Sequence, residues 1–264
     1  MRWLLRNVGC AVVPAAALGL AAAACADDRR FGFVEMTDTV PKGGFEYEQW
    51  VTWKTHTSED HGFNKVELKH EIEVGLTDEL QLGIDLLVWH FQTGDDKDAP
   101  RFDETAFELK YRFLDPVTDP VGLAHKVEFV LGAEDYAIEN KLILDKRMGK
   151  WLPAYNLILE AAWSNEDFGE NEGELKQTLG LSYEIDPRFF VGIEVMHEVP
   201  LPDWNTGEHQ NLFVGPNVSI RGGENEPGKY YEGNWAITLA ALARVTGGDE
   251  EPALQVRMLI EYDF

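Results

Sequence analysis

The stretch Lys65-Val66-Glu67-Leu68-Lys69-His70-Glu71-Ile72-Glu73-Val74 decides the fold. Val66, Leu68, Ile72 and Val74 share one parity with His70, while Glu67, Lys69, Glu71 and Glu73 share the other. A period of two puts successive side chains on opposite faces of an extended strand, and an amphipathic helix cannot produce that separation. The segment therefore reads as a strand with one oily and one ionic face.

The same alternation recurs along most of the chain. It predicts strands at Phe45–Trp53, Lys65–Val74, Leu80–Phe91, Thr105–Phe113, Val121–Ala133, Ile138–Asp145, Ala154–Ser164, Leu175–Glu184, Phe189–Val199, Gln210–Ile220, Asn234–Val245 and Ala253–Phe264. Each is about 8 to 13 residues long, which brackets the roughly 9 to 11 that cross a bilayer at a tilt. Connectors alternate as well: Leu76–Glu79, Asp115–Pro120 and Asp186–Arg188 are short and rich in turn formers, whereas Gln92–Glu104 and Asn165–Glu174 are long and polar. Gly222–Gly233 breaks this scheme, being long on the side that is otherwise short. The expected fold is all-β: a closed antiparallel transmembrane barrel of about twelve strands in up-and-down order, with short turns in the periplasm.

Phase assigns the lumen. In the barrel reading the oily row faces lipid and the ionic row lines the interior, which selects Glu67, Lys69, Glu71, Glu73, Asp85, Glu108, Lys110, Arg112, Lys141, Glu160, Lys176, Glu194, Arg244 and Arg257. Four histidines, His70, His90, His125 and His197, fall on the nominal lipid row against this pattern. Aromatic residues gather at strand ends: Trp50, Trp53, Trp89, Phe91 and Trp163 toward the loops, with Phe113, Trp151, Tyr155, Tyr183, Phe189, Trp235, Tyr262 and Phe264 toward the turns. Two such belts match the girdles that sit at headgroup level.

The chain begins with a basic head, an apolar stretch from Val8 to Ala24, and small residues before Ala26, the pattern of a cleaved secretory leader over residues 1–26. Residues 27–44 then read as an N-terminal periplasmic segment and 45–264 as the barrel. In a second reading Ala22-Ala23-Ala24-Cys25 is a lipoprotein box with Cys25 retained. Cleavage after Ala26 removes both Cys10 and Cys25, leaving no thiol for a disulfide or metal site. The formal net charge of the whole chain is −24, and loss of Arg2 and Arg6 makes the remainder more acidic still. Such a surface repels phosphates, which sets nucleic-acid binding aside.

The last strand carries Leu254, Val256, Met258, Ile260, Tyr262 and Phe264 on one parity. Its Tyr-Asp-Phe ending resembles the terminal strand of Gram-negative outer-membrane proteins, and Gly75–Leu82 resembles the strand-turn-strand of small, poorly characterised barrels of that class. The resemblance implies an outer-membrane location. It also implies that Tyr262 and Phe264 are an assembly signal read by the barrel-assembly machinery, with outer-membrane lipids and lipopolysaccharide as surroundings.

Chemistry is sparse. There is no Gly-x-Ser-x-Gly elbow, phosphate loop or dinucleotide fingerprint. His56 and His61 flank Glu59 and Asp60 at a spacing matching no standard metal motif, so a solvated loop is favoured over a metal site. Paired carboxylates such as Glu46 and Glu48, Glu71 and Glu73, or Glu194 and Glu198 offer acid and base, but so many are present that a catalytic choice is arbitrary. No catalytic residue, metal or cofactor is therefore assigned.

An excess of acids on the lumen row and in the loops, including Asp95, Asp96, Asp98, Glu166, Asp167, Asp249, Glu250 and Glu251, points to a passive, cation-preferring channel for small solutes. The alternatives are a non-conducting structural or adhesion barrel plugged by ion pairs, and a lipid or lipopolysaccharide hydrolase. The hydrolase would require an Asp-His or Ser-His pair at the rim near His90 or His197.

Overall fold

A computed structural model describes residues 29–93, 100–166, 171–205, 210–223, 234–246 and 251–264. The leader expected over 1–26 lies outside them, as do Asp95, Asp96, Asp98, Asp167, Asp249, Glu250 and residues 224–233 of the connector that broke the length scheme.

Twelve strands follow in order: β1 Phe45–Thr55, β2 Asn64–Gly75, β3 Leu80–Thr93, β4 Arg101–Leu114, β5 Gly122–Gly132, β6 Asp135–Asp145, β7 Trp151–Ser164, β8 Asn171–Asp186, β9 Phe189–Pro202, β10 Asn211–Gly222, β11 Trp235–Thr246 and β12 Leu254–Asp263. Each pairs antiparallel with its neighbours in sequence, and β1 pairs with β12 from Glu46↔Asp263 to Thr55↔Leu254, so the sheet closes into a barrel. Closure satisfies every strand edge, which is the condition for crossing hydrocarbon as strands. The structure departs from the expected boundaries at both ends: β7 and β10 extend at the turn end to Trp151 and Gly222, β5 and β12 are slightly shorter, and β4 and β8 extend furthest at the loop end. Arg101–Glu104 and Asn171–Glu174 extend β4 and β8 with polar residues that no oily alternation marks.

The phase of the wall follows the alternation. Along β4, Phe107, Leu109, Tyr111 and Phe113 are exposed on the outside, while Glu108 and Lys110 are buried inside. A continuous belt of exposed rings and leucines is costly in water and favourable against acyl chains. At the turn end Trp151 stacks obliquely on Tyr183 at 4.7 Å, and Tyr262 meets Phe264 edge-on at 5.0 Å.

Three expectations are corrected. Trp50 is no part of an outer girdle: its neighbours Glu48 and Thr52 are buried inside the barrel, and its ring lines the interior. His90 leaves the lipid row because a register shift between Asp85 and Val88 reverses the phase of β3, turning its imidazole toward Asp103. Residues 29–41 do not stay below the barrel. They run inside it, with Arg29, Arg30, Phe31, Val34, Met36 and Val40 all buried.

His70 does face outward. Its Nδ1 lies 2.8 Å from the Tyr47 hydroxyl, whose ring stacks on the imidazole, so the polar group has a partner within its own chain.

Candidate functional site: the barrel lumen

Twelve strands enclose more space than wall side chains alone fill, and less than the open bore of a 16- to 18-stranded porin. In the turn-end half that space is taken by residues 29–41, which follow the inner wall as an irregular segment that bends at Gly32, Phe33 and Thr37. A buried backbone must find hydrogen-bond partners, and here the wall supplies them as side chains.

Glu194 of β9 accepts the N–H groups of Gly32, Phe33 and Val34 at 2.8, 2.7 and 3.1 Å. Asn156 of β7 accepts from the Glu35 N–H and donates to the Glu35 carbonyl. Asp145 of β6 takes the N–H and hydroxyl of Thr37, and Gln81 of β3 takes the Val40 N–H. Asn217, Ser219 and Thr238 donate to the carbonyls of Arg30 and Arg29.

The wall is also shaped for this segment. A Cβ on Gly180 would sit 2.5 Å from the ring of Phe31, and a Cβ on Gly32 would sit 2.6 Å from that of Ala240. Phe31, Val34 and Met36 form one apolar cluster with the inward Leu152 and Ala154, and Phe33 packs on Met196, Phe213 and Leu242. An inner wall carrying such oily patches is unfavourable against water and stable under an apolar cover.

Charge is arranged in two groups. Around Glu35 stand Lys110, Lys126 and Lys141 at 3.2, 3.1 and 3.0 Å, and Lys126 also reaches Glu108 at 2.6 Å. Lys69 extends the network to Glu71, Asp85 and Glu108. Taking each ion from water costs several kcal/mol, and a lysine that meets two or three carboxylates recovers more of that cost than a single pair would.

The second group lies at the turn end. Carboxylate oxygens of Glu46, Glu48 and Glu73, and again of Glu46, Glu261 and Asp263, come within 4.8 Å of one another, a spacing that could hold a metal ion. Arg29 reaches this corner, 2.6 Å from Glu48 and 3.7 Å from Glu73, so a guanidinium supplies positive charge there.

On the loop side of the segment the lumen holds cavities. One cavity of about 350 Å³ is lined by Trp50, Thr52, Lys65, Glu67, Lys69, Val88, Asp103, Glu104 and Arg257. A second, of about 190 Å³, shares Trp50, Lys69 and Arg257 with it and is bounded by Arg29, Phe33, Val34 and Glu35 of the inner segment. Arg257 lies over the rings of Phe33 and Trp50, donates to Thr52 and to the Gly32 carbonyl, and so ties the two cavities to the segment between them.

The residues expected to line the lumen distribute unevenly. Glu71, Glu73, Asp85, Glu108, Lys110 and Glu194 are buried within the barrel, and Lys69 and Lys141 join the central network. Glu67, bound by Lys54 and Lys65, lies in the loop-end cavity with Arg257, while Lys176 pairs with Glu174 and Glu198. Glu160 faces Lys141's neighbour Glu139 across β6 and β7. Two residues sit at the rims: Arg112 donates to the Asp78 carbonyl in the β2–β3 turn, and Arg244 donates to Ser58 and the Glu251 carbonyl among the loops.

Sequence reasoning missed the neutral set that holds the segment: Gln81, Asn156, Asn217, Ser219 and Thr238. It also missed the segment's own Arg29 and Glu35.

The rim histidines do not assemble as a lipid-facing pair. His90 Nδ1 meets Asp103 Oδ1 at 2.5 Å on the inner side, and His197 bonds Gln210 on β9's approach to its loop. Ser164, at the end of β7, accepts the Glu166 N–H. In the first loop, His56 bonds Thr55, and Asp60 receives the Gly62 N–H, so these side chains serve the loop's own turn.

The profile of a family described as "Family of unknown function (DUF6662)" matches residues 23–262, and the chain belongs to that family. No curated protein sequence matches it. Among solved structures it is similar to the COG4313 outer-membrane channel of Pseudomonas putida F1, at 14% identity and a TM-score of 0.59, over 86% of this chain and 98% of that one. It is also similar to the NanC porin, at 7% identity and a TM-score of 0.55, over 83% of this chain and 98% of the porin. At these identities the likeness is one of fold.

Proposed function

We propose that this family member is a passive outer-membrane channel for small solutes, with a preference for cations. The barrel architecture shared with a channel and a porin supports the class. The preference rests on two loop-end carboxylates that no lysine neutralises, although the cavity lining itself is matched, with Glu67, Asp103 and Glu104 against Lys65, Lys69 and Arg257. Lys54, Lys65, Lys69, Lys110, Lys126, Lys141 and Lys176 each stand in an ion pair with a carboxylate. Glu104, which lines the loop-end cavity, and Glu160 have no ion-pair partner among the described residues. Carboxylates left over in a confined vestibule concentrate cations and repel anions.

In this reading the short turns face the periplasm, the leader is removed on export, and the vestibule opens to the outside. Recording in planar bilayers across a salt gradient tests it. The expected result is a reversal potential of the sign for cation flow; anion flow would overturn the charge preference, and silence from folded protein under every condition would overturn the channel.

A second reading is a closed structural barrel with acidic loops. The interior network centred on Glu35 and Glu108 favours it, and the same recordings separate the two.

A further inference from the structure

The lumen's filling is a piece of the chain that is not built into its wall. Residues 29–41 join no strand, whereas β1 and β12 pair along their full length without them. The segment's backbone is held by Glu194, Asn156, Asp145, Gln81, Asn217 and Arg257, all reaching from the wall as side chains. Its departure therefore breaks no rung of the barrel ladder; it leaves polar groups that water can take over, together with the apolar Leu152, Ala154, Met196, Phe213 and Leu242, whose exposure favours the closed form.

The segment joins the wall through Pro41-Lys42-Gly43-Gly44, which leads into β1. Gly43 there has φ +79°, in the left-handed region that glycine adopts at little cost. Beside that turn, a Cβ on Gly75 would collide with the Pro41 carbonyl. The Gly43 N–H donates to the Gly75 carbonyl and the Gly75 N–H to the Gly44 carbonyl, so this turn is fixed to β2 and marks the point about which the segment would swing out.

Arg29, Glu35 and Phe33 also place the segment in the path of ions. Phe33 and Glu35 form the floor of the inner cavity, Glu35 gathers lysines from β4, β5 and β6, and Arg29 covers the acidic corner of β1, β2 and β12. Moving the segment out would open the turn-end half and uncover Glu46, Glu48, Glu73, Glu261 and Asp263 along the route.

We propose that residues 29–41 are a tethered plug that closes the lumen and is displaced when the channel opens. This rests on the channel reading and adds its gate.

The test compares bilayer recordings of three forms, each shown to be folded by heat-modifiable migration on a gel: the full chain, a chain lacking residues 29–41, and Thr37→Cys/Asp145→Cys. The two positions of the last are in contact, since the Thr37 hydroxyl lies 2.8 Å from an Asp145 oxygen. The expected full chain is mostly closed with intermittent openings. The deletion stays open at a several-fold higher mean conductance, and a synthetic peptide of residues 29–41 added on the turn side blocks it. The double-cysteine form is silent when oxidised and regains its openings with a thiol reductant.

Equal conductance of the deletion and the full chain would overturn the plug and leave the channel standing. If the deletion does not fold, the cysteine pair decides alone: openings that persist after complete oxidation overturn the plug. Silence of every folded form overturns the channel reading instead.

Discussion

The Glu194 carboxylate, fully buried on β9, accepts the Phe33 backbone N–H at 2.7 Å across 161 residues of sequence. The same carboxylate takes the neighbouring Gly32 and Val34 amides, and Asn217 braces it at 2.7 Å. One ionic side chain thus fixes the deepest turn of the inner segment. A hydrogen bond to a charged acceptor contributes about 1.5–3 kcal/mol, so loss of this group weakens the segment's hold while leaving the barrel ladder intact. Glu194→Ala is expected to keep heat-modifiable migration and to become cleavable by trypsin after Arg29 or Arg30, which are buried in the parent. Mass spectrometry of the digest reads the cut, and equal protection of parent and variant would count against Glu194 as the anchor.

Close packing offers an independent lever. Gly180 faces the ring of Phe31 with no room for a Cβ. Overpacking a filled interior costs about 1–3 kcal/mol, and here a tethered segment yields more readily than a closed sheet. Gly180→Leu is expected to produce the same new trypsin cut as Glu194→Ala, whereas Leu179→Ala, on the outer face, is expected to leave the segment protected.

The barrel was legible because its wall obeys a single rule: oily and ionic parities separate cleanly at Lys65–Val74, and β2 forms there. His90 was misplaced because the rule carries no count of bulges. The extra residue in the Leu86-Leu87 run shifts the phase, and nothing in two adjacent leucines distinguishes an added residue from an ordinary one. The inner segment was illegible for a different reason. Phe31, Val34 and Met36 follow no period, since a chain gripped by side chains from many strands has no repeating face.

A signal was nevertheless present on the other side of the contact. The inward parity includes Leu152, Ala154, Gly180, Met196, Phe213 and Leu242, too oily or too small for a wet lumen. Such a row requires an apolar cover, and the stretch before β1 is near enough to supply it.

The vestibule makes a prediction about selectivity. Glu104 and Glu160 both face the loop-end lumen without a lysine partner among the described residues. Replacing both with glutamine removes fixed negative charge while preserving shape, so the cation-to-anion permeability ratio is expected to fall toward unity with little change in folding. Glu67→Gln instead frees Lys54 and Lys65 and is expected to move the ratio further toward anions. Reversal potentials across a salt gradient measure both, and an unchanged ratio in the double variant would remove these carboxylates from the selectivity.

Asp115, in the β4–β5 turn, gives a pH-dependent check outside the spanning strands. Its slight burial acts to raise its pKa, but the Thr118 and Val117 N–H groups it accepts outweigh that and hold the carboxyl below its usual value. A folded pKa below the unfolded one means the turn's contribution is present above the ordinary aspartate range and fades as pH falls through the lowered value. Asp115→Asn is expected to lose this pH dependence locally. A carboxyl titration by NMR in detergent checks it, with a midpoint at or above that of a free aspartate as the contrary result.

The terminal strand separates assembly from stability. Tyr262 and Phe264 project outward, exposed to 41% and 75%, and their rings meet edge-on at 5.0 Å. An edge-to-face pair contributes about 0.5–1.5 kcal/mol, too little for its loss to unfold a barrel closed by a full β1–β12 ladder. Phe264→Ala should therefore refold into detergent micelles much as the parent does. If the two rings are read during insertion, the same variant should accumulate poorly in outer membranes of a Gram-negative host. Normal accumulation in membranes would remove Phe264 from that role, and failure in both settings would show that the residue is needed for the fold itself.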